Sequence, residues 1–124
     1  MIDHISLKVR SYSKSKSFYD KALAPLGYRP EGVDDKGKSA GFGVPDSGAI
    51  DLWIAEGEPA TRVHLAFRAP SRAAVKKFHA AALAHGGKDN GPAGLRADYS
   101  PTYFAAFILD PDGNNLEAVY HGAE

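Results

Sequence analysis

The sequence predicts an α+β protein: two tandem βαβββ modules forming a curved, cup-like mixed sheet with the helices on the outside. Three observations carry this. Residues 4–28 and 64–88 align without a gap. Each copy runs from a pattern of period two into one of helical spacing, the mark of a strand followed by a helix. Each half then closes on two apolar runs separated by a glycine-containing turn, the mark of a hairpin.

The first copy reads HISLKVRSYSKSKSFYDKALAPLGY and the second HLAFRAPSRAAVKKFHAAALAHGGK. His4 falls on His64, Ser11 on Ser71, Phe18 on Phe78, Leu23 on Leu83 and Gly27 on Gly87. Ile5, Leu7 and Val9 alternate with His4, Ser6 and Lys8, and Val63, Leu65 and Phe67 alternate with His64, Ala66 and Arg68. Each opening strand therefore has one face on the core and one turned away from it. Ser11 or Ser13 starts the first helix and Ser71 the second, because a serine hydroxyl accepts from an otherwise unpaired N–H. Phe18, Ala22 and Leu23 make one apolar stripe, and Val75, Phe78, Ala82 and Leu83 the other. Gly27 and Gly86–Gly87 stop the helices. A weaker strand is expected near 28–33 and another near 94–97, with mobile loops at 34–40 and 88–94. The closing hairpins are FGVPDSGAIDLWI (42–54) and FILDPDGNNLEAVY (107–120). One extra residue in the second turn sets Phe42 on Phe107, Gly48 on Gly113 and Asp51 on Glu117.

A module of about 60 residues is marginal on its own. The repeats, roughly 1–58 and 61–122, are therefore expected to share one domain, 1–124. Composition narrows the function. Fifteen Lys and Arg balance fifteen Asp and Glu, so no global basic field favours nucleic acid or an anionic membrane. Without cysteine there is no disulfide, thiolate nucleophile or iron–sulfur centre, and any metal must be held by His, Asp and Glu. The N-terminus lacks a basic region followed by an apolar run, and no stretch is long enough to span a membrane. A cytoplasmic protein is expected.

On the face turned from the core, each first strand carries a histidine, His4 or His64. Each last strand carries a carboxylate, Asp51 or Glu117. A pseudo-twofold axis through the cup would gather all four. Imidazole and carboxylate are ligands for Zn, Ni, Fe, Mn or Co, and three or four of them leave room for water or a substrate. The alternative for any one residue is a structural histidine or a solvated acid; recurrence at matched positions favours the metal.

DHISLKV with SFYDKALAPLGY, RVHLAF, and FILDPDGNNLEAVYH together resemble the vicinal oxygen chelate superfamily, the glyoxalase, bleomycin-resistance and extradiol-dioxygenase group. The resemblance spans essentially the whole chain, and the DPDGN turn entering a Leu-Glu strand is its most specific part. It implies paired βαβββ modules, a divalent metal on His4, Asp51, His64 and Glu117, and a homodimer acting on a small molecule. The implied chemistry is chelation of two neighbouring substrate oxygens, with the ion as Lewis acid, in a lyase or isomerase of the glyoxalase type. Asp51 is then a fourth ligand or the general base. Asp51 is shorter than the glutamate that glyoxalase I enzymes have there. Extradiol Fe(II) dioxygenases are an alternative through His4, His64 and Glu117, and antibiotic-binding relatives without metal are another.

Four further side chains have two readings each. Trp53, on the Asp51 face, stacks on a substrate or packs in the core or a dimer interface. Tyr99 and Tyr103 flank Pro101; a phenol there donates to a substrate oxyanion or is an ordinary strand aromatic. Arg96 pairs with a substrate carboxylate or is a solvated loop charge. His79 and His85 are expected to be exposed on the second helix, and His121 lies beside the fraying C-terminus. DPDGNN opens like a calcium loop, but His121 occupies the place of the bidentate glutamate, so a tight turn explains it better.

Overall fold

The computed structural model describes all 124 residues. In chain order the elements are β1 (Ile5–Val9), α1 (Tyr12–Leu23) with a 3₁₀ turn (Ala24–Leu26), β2 (Arg29–Asp34), β3 (Ser39–Gly43), β4 (Leu52–Glu56), β5 (His64–Arg68), α2 (Arg72–Ala84), β6 (Lys88–Leu95), β7 (Phe104–Leu109) and β8 (Asn115–Tyr120). The order strand, helix, three strands thus occurs twice, as the repeat predicts. None of the helices is long and apolar enough to cross a membrane.

The helix signals act as read. Ser11, rather than Ser13, caps α1 by accepting from the Lys14 N–H, and Ser71 caps α2 from Ala74. Gly27 takes a left-handed conformation (φ 94°) that lets its N–H reach the Ala24 carbonyl and end the 3₁₀ turn.

The strands form two four-stranded sheets of identical order, β1-β4-β3-β2 and β5-β8-β7-β6. In each, the first strand is an edge lying parallel to the last, and the other pairings are antiparallel. The predicted curved sheet is therefore two mixed sheets, with no hydrogen-bonded strand pair joining them. Each helix packs on its own sheet and the two helices touch. A single cluster of 23 buried residues runs through both modules. Phe18 and Phe78, equivalent in the repeat, are both fully buried. Burying an aromatic side chain of this size gives about 1.5–3 kcal/mol each.

Three expectations change. Residues 88–94 are not a loop: β6 starts at Lys88, with shifts in its pairing to β7 around Gly91. Its glycines and polar residues weaken the apolar alternation that identifies a strand, which hid it. Leu83 lies outside the core at 40 % exposure, although its counterpart Leu23 is fully buried. His79 is half-buried rather than exposed, and its Nε2 lies 2.9 Å from Asp89 Oδ1. That contact and the Gly91 N–H hold the Asp89 carboxyl below its ordinary range.

The modules are joined by the turn read as tight. Asp110 accepts from the Tyr19 hydroxyl on α1, and also from Asn114 Nδ2 and the N–H groups of Asp112 and Asn114. Asp112 accepts from Arg10, through its N–H at 3.1 Å and its guanidinium at 3.3 Å. Asp110, Asp112 and Asn114 are all buried. The turn of the second module is thus a polar clasp on the first.

Candidate functional site

Strand register decides which side chains of the two modules are equivalent. In the first module Ile5 pairs with Leu52 and Ser6 with Trp53. In the second, Leu65 pairs with Leu116 and Ala66 with Glu117. Since Ile5 corresponds to Leu65, Trp53 is the counterpart of Glu117, and Asp51 that of Asn115. The equivalence of Asp51 with Glu117 expected from the hairpin sequences is therefore corrected by two residues. The cause lies in the turns: Phe42 opposes Leu52 and Ile108 opposes Leu116, which makes the first connection two residues longer. An even slip keeps the side-chain face but moves the residue along the strand, so alternation alone cannot reveal it.

The second module assembles a cluster. Glu117 is buried on β8, and its two carboxylate oxygens have separate partners. Oε1 lies 3.0 Å from His64 Nε2, and Oε2 accepts from the Tyr103 hydroxyl. His64 opens β5 directly opposite Asn115. The Asn115 amide nitrogen is 2.6 Å from His64 Nδ1 and can only donate, so Nδ1 accepts and Nε2 carries the proton towards Glu117. Asn90 Nδ2 in turn donates to Asn115 Oδ1 at 3.1 Å. The order Asn90, Asn115, His64, Glu117 is a chain of donors ending on a carboxylate that also receives Tyr103. Sequence reading did not single out Asn90 or Asn115. Asn115 was accessible to it, two residues before Glu117 on the same strand face.

Burial, then the hydrogen bond to Glu117, pushes the Tyr103 phenol up to about 12. It therefore stays a donor throughout the neutral range. Tyr103 stands between Tyr99 and His121, each ring edge-on with centroids 5.0 and 5.3 Å away. Arg96 donates to the carbonyls of Gly94 and Pro92 at 2.9 and 2.7 Å, and its guanidinium lies 5.3 Å from the Phe107 ring centre. Those backbone contacts leave only part of its fork for a substrate.

The first module arranges its predicted residues differently. His4 is exposed just before β1, with Nδ1 2.8 Å from Asp3 Oδ1. Asp51 accepts from the Tyr28 hydroxyl at 2.8 Å. Burial first, and then Asp51, raises the Tyr28 phenol above its ordinary range. His4, Asp51 and Tyr28 line one cavity of about 290 Å³ between the modules, with Leu65 and Phe67 on its far wall. Trp53 stands on the helix-free face of the first sheet.

His64 and Glu117 have the donor chemistry for a divalent ion, and 3.0 Å is the spacing of two neighbouring ligands on one metal. His4 and Asp51 belong to another cavity, and no group of three or more His, Asp or Glu converges within the chain. The fold thus brings together two of the four predicted ligands.

Comparisons with known proteins agree with this architecture. A family model described as Glyoxalase/Bleomycin resistance protein/Dioxygenase superfamily matches residues 1–118. A glyoxalase/bleomycin resistance protein from Albidiferax ferrireducens is 32% identical, over 96% of this chain and 97% of that one, with a TM-score of 0.79. A putative glyoxalase from Bacillus halodurans is 25% identical over 97% and 95%, with a TM-score of 0.69. A mutant glyoxalase I from Zea mays is 24% identical over 95% of this chain and 46% of that one, with a TM-score of 0.66, and speaks for the fold alone. No relative among curated proteins matches. With its doubled βαβββ plan and a family match over nearly its whole length, the chain belongs to the glyoxalase, bleomycin resistance protein and dioxygenase superfamily.

Proposed function

We propose that the chain is a glyoxalase-like enzyme, a lyase or isomerase that moves a proton on a small oxygenated substrate, with His64, Glu117 and Tyr103 as its working groups. One observation supports this reading above the others: a buried carboxylate with a protonated imidazole nitrogen on one oxygen and a phenol on the other. A base, an acid and an oxyanion donor are thereby in mutual contact, the combination that proton transfer beside a carbonyl requires. Glu117 takes the proton from one carbon and returns it to the neighbouring carbon of the resulting enolate, so that the carboxylate ends the cycle ionised. Tyr103, still protonated at neutral pH, turns its hydroxyl to the oxygen on which charge develops. His64 keeps the second carboxylate oxygen oriented.

A divalent ion, when bound, would be held by His64 Nε2 and Glu117 Oε1 and would supply Lewis-acid polarisation of the substrate oxygens. Binding there would require the imidazole proton to sit on Nδ1 instead, with the Asn115 amide turned so that its oxygen accepts it. The second reading is a small-molecule binding protein without metal, favoured by the failure of His4 and Asp51 to join the cluster.

Elemental analysis of protein purified without chelator, followed by a thermal-shift screen with and without added metal, tests the proposal. The expected result is a divalent ion, Zn or Ni for a lyase, lost in both His64→Ala and Glu117→Ala. Iron in place of Zn or Ni points to the dioxygenase alternative. Metal content unchanged in both variants overturns the site. Ligand stabilisation that is indifferent to metal and to Glu117→Gln favours the binding protein.

A further inference from the structure

The donor chain that ends on Glu117 begins on an exposed asparagine at an irregular point of the sheet. Asp89 and Gly91 on β6 pair with the consecutive residues Ile108 and Phe107 of β7, so Asn90 is the extra residue of a bulge. Glycine is demanded at 91 twice over: its φ is +146°, and a Cβ there would come within 3.1 Å of the Phe107 ring. The peptide nitrogen that follows Asn90 is therefore unshielded by any side chain of its own residue. Its N–H donates to Asp89 Oδ1 at 2.9 Å, and His79 Nε2 lies 2.9 Å from the same oxygen. The Asn90 side chain is held by a hydrogen bond from Nδ2 to Asn115 Oδ1 at 3.1 Å. The other two asparagines, Asn114 and Asn115, are followed by Asn115 and Leu116 rather than by glycine, and Asn114 is buried.

We propose that Asn90–Gly91 is a self-modification site, where the chain converts its own asparagine to aspartate or isoaspartate and so reverses the donor chain. Asparagine is among the chemically labile side chains. The Gly91 nitrogen attacks Asn90 Cγ and passes its proton to Asp89. The new N–Cγ bond closes a five-membered succinimide. The Cγ–Nδ2 bond breaks, and Nδ2 takes up the proton and leaves as ammonia. Water then opens the ring at either carbonyl, so that asparagine and water give acid and ammonia. Asp89 is the local base, and His79 keeps its carboxylate on the N–H. Because Asn90 is exposed, it swings over the nitrogen once its bond to Asn115 breaks. The consequence rests on the reading of His64 and Glu117 as working groups. The aspartate carboxylate only accepts, so the Asn115 amide must turn its nitrogen towards it. The Asn115 oxygen then replaces the amide nitrogen that lies 2.6 Å from His64 Nδ1, and Nδ1 must carry a proton.

Peptide mapping by mass spectrometry, on full-length protein aged in neutral buffer, tests the modification. Conversion of amide to acid should appear at Asn90 and not at Asn114 or Asn115. Asp89→Ala should slow it at least about 10-fold, part of what a positioned base supplies. Asn90→Gln, whose longer side chain would have to close a six-membered ring, should not convert. Asn90→Asp supplies the aspartate product uniformly, and its ¹⁵N imidazole spectrum should move His64 Nδ1 from an acceptor shift to a protonated one. The same resonance should grow in aged wild-type protein in step with the aspartate found by mass. Conversion at Asn90 no faster than at Asn114 or Asn115, a rate untouched by Asp89→Ala, or an unmoved Nδ1 shift in Asn90→Asp overturns the proposal. Mass and imidazole shifts are read here, and not turnover. Failure therefore leaves the proton-transfer reading standing, whereas a Glu117→Gln variant of full activity would sink that reading alone.

Discussion

The two modules set an aromatic ring on the same spot of their helix-free faces, but from different strands. In the first, Trp53 on β4 lies over Gly41 on β3; in the second, the corresponding pair is Glu117 on β8 and Phe107 on β7. Bulk has moved across the pair, and a carboxylate has taken the vacated position. Beneath both rings sits a glycine of the edge strand β2 or β6, Gly32 or Gly91, where a Cβ would come within 2.9 or 3.1 Å of the ring. Cross-strand pairs conserve total volume more strictly than residue identity. A duplicated scaffold can therefore keep its packing while its two halves present different side chains on the same face.

The turns diverge in the same way, and they carry the largest expected effect. Asp110 is buried and receives a phenol from the first module and three N–H donors from its own turn in the second. Its neighbour in role on the first hairpin, Asp46, is exposed. Asp110→Ala strands several buried donors at about 1–3 kcal/mol each, a total on the order of 3–5 kcal/mol. The expected fall in melting temperature is at least about 10 °C. Asp46→Ala should change stability by less than about 1 kcal/mol. Thermal and urea melts check the pair; similar losses would mean that the modules are held together elsewhere.

Next come the two faces. Glu117→Gln removes the proposed base and should lower kcat by about 10²- to 10⁴-fold, with KM little changed. Trp53→Ala should do the reverse, raising KM with a small effect on kcat, since it removes uniform binding. Steady-state kinetics on a substrate found by ligand screening separates them. A shared loss of kcat would show that both faces serve one reaction centre.

Much of this architecture was legible in the chain. His4 on His64 and Phe18 on Phe78 needed no gap, and the helix caps follow from Ser11 and Ser71 because capping is local physics. The candidate cluster around Glu117 was legible in part. His64 and Glu117 could be read from strand alternation, and Tyr103 from its place before a strand. Asp51 could not be placed, because alternation has period two and a turn longer by two residues leaves parity untouched. The role of Asn115 was hidden for another reason: a side-chain donor chain depends on which residues face each other across strands distant in sequence.

A smaller effect sharpens the role of Asn115, whose counterpart in the first module is Asp51. Asn115→Asp replaces a donor with an acceptor at His64 Nδ1. The proton should move to Nδ1, or both nitrogens should carry one, and ¹⁵N chemical shifts of the imidazole report this directly. Loss of the tautomer set by Asn115 should change turnover or metal affinity by about 10–100-fold. Unchanged imidazole shifts would make Asn115 a packing residue only.

The smallest effect concerns a resemblance between the modules. Each has a tyrosine donating to a carboxylate, Tyr12 to Asp35 in the first and Tyr103 to Glu117 in the second. Both phenols are pushed up to about 12, by burial first and then by the bonded carboxylate. A raised folded value means that the protonated phenol is favoured by folding. Its contribution is complete below about pH 10, the ordinary tyrosine value, and is lost as pH rises towards 12. Asp35 is held below its ordinary value, by the Tyr12 hydrogen bond first and Lys16 next. Its contribution is present above about pH 4 and fades as pH falls through the lowered value. Urea midpoints followed with pH should therefore decline on the alkaline side less steeply in Tyr12→Phe and in Tyr103→Phe than in the wild type. Tyr12→Phe should also flatten the acid decline, since its partner carboxylate is held low. An acid limb unchanged in Tyr12→Phe would mean that the Tyr12 hydroxyl is not what keeps Asp35 ionised in the folded state.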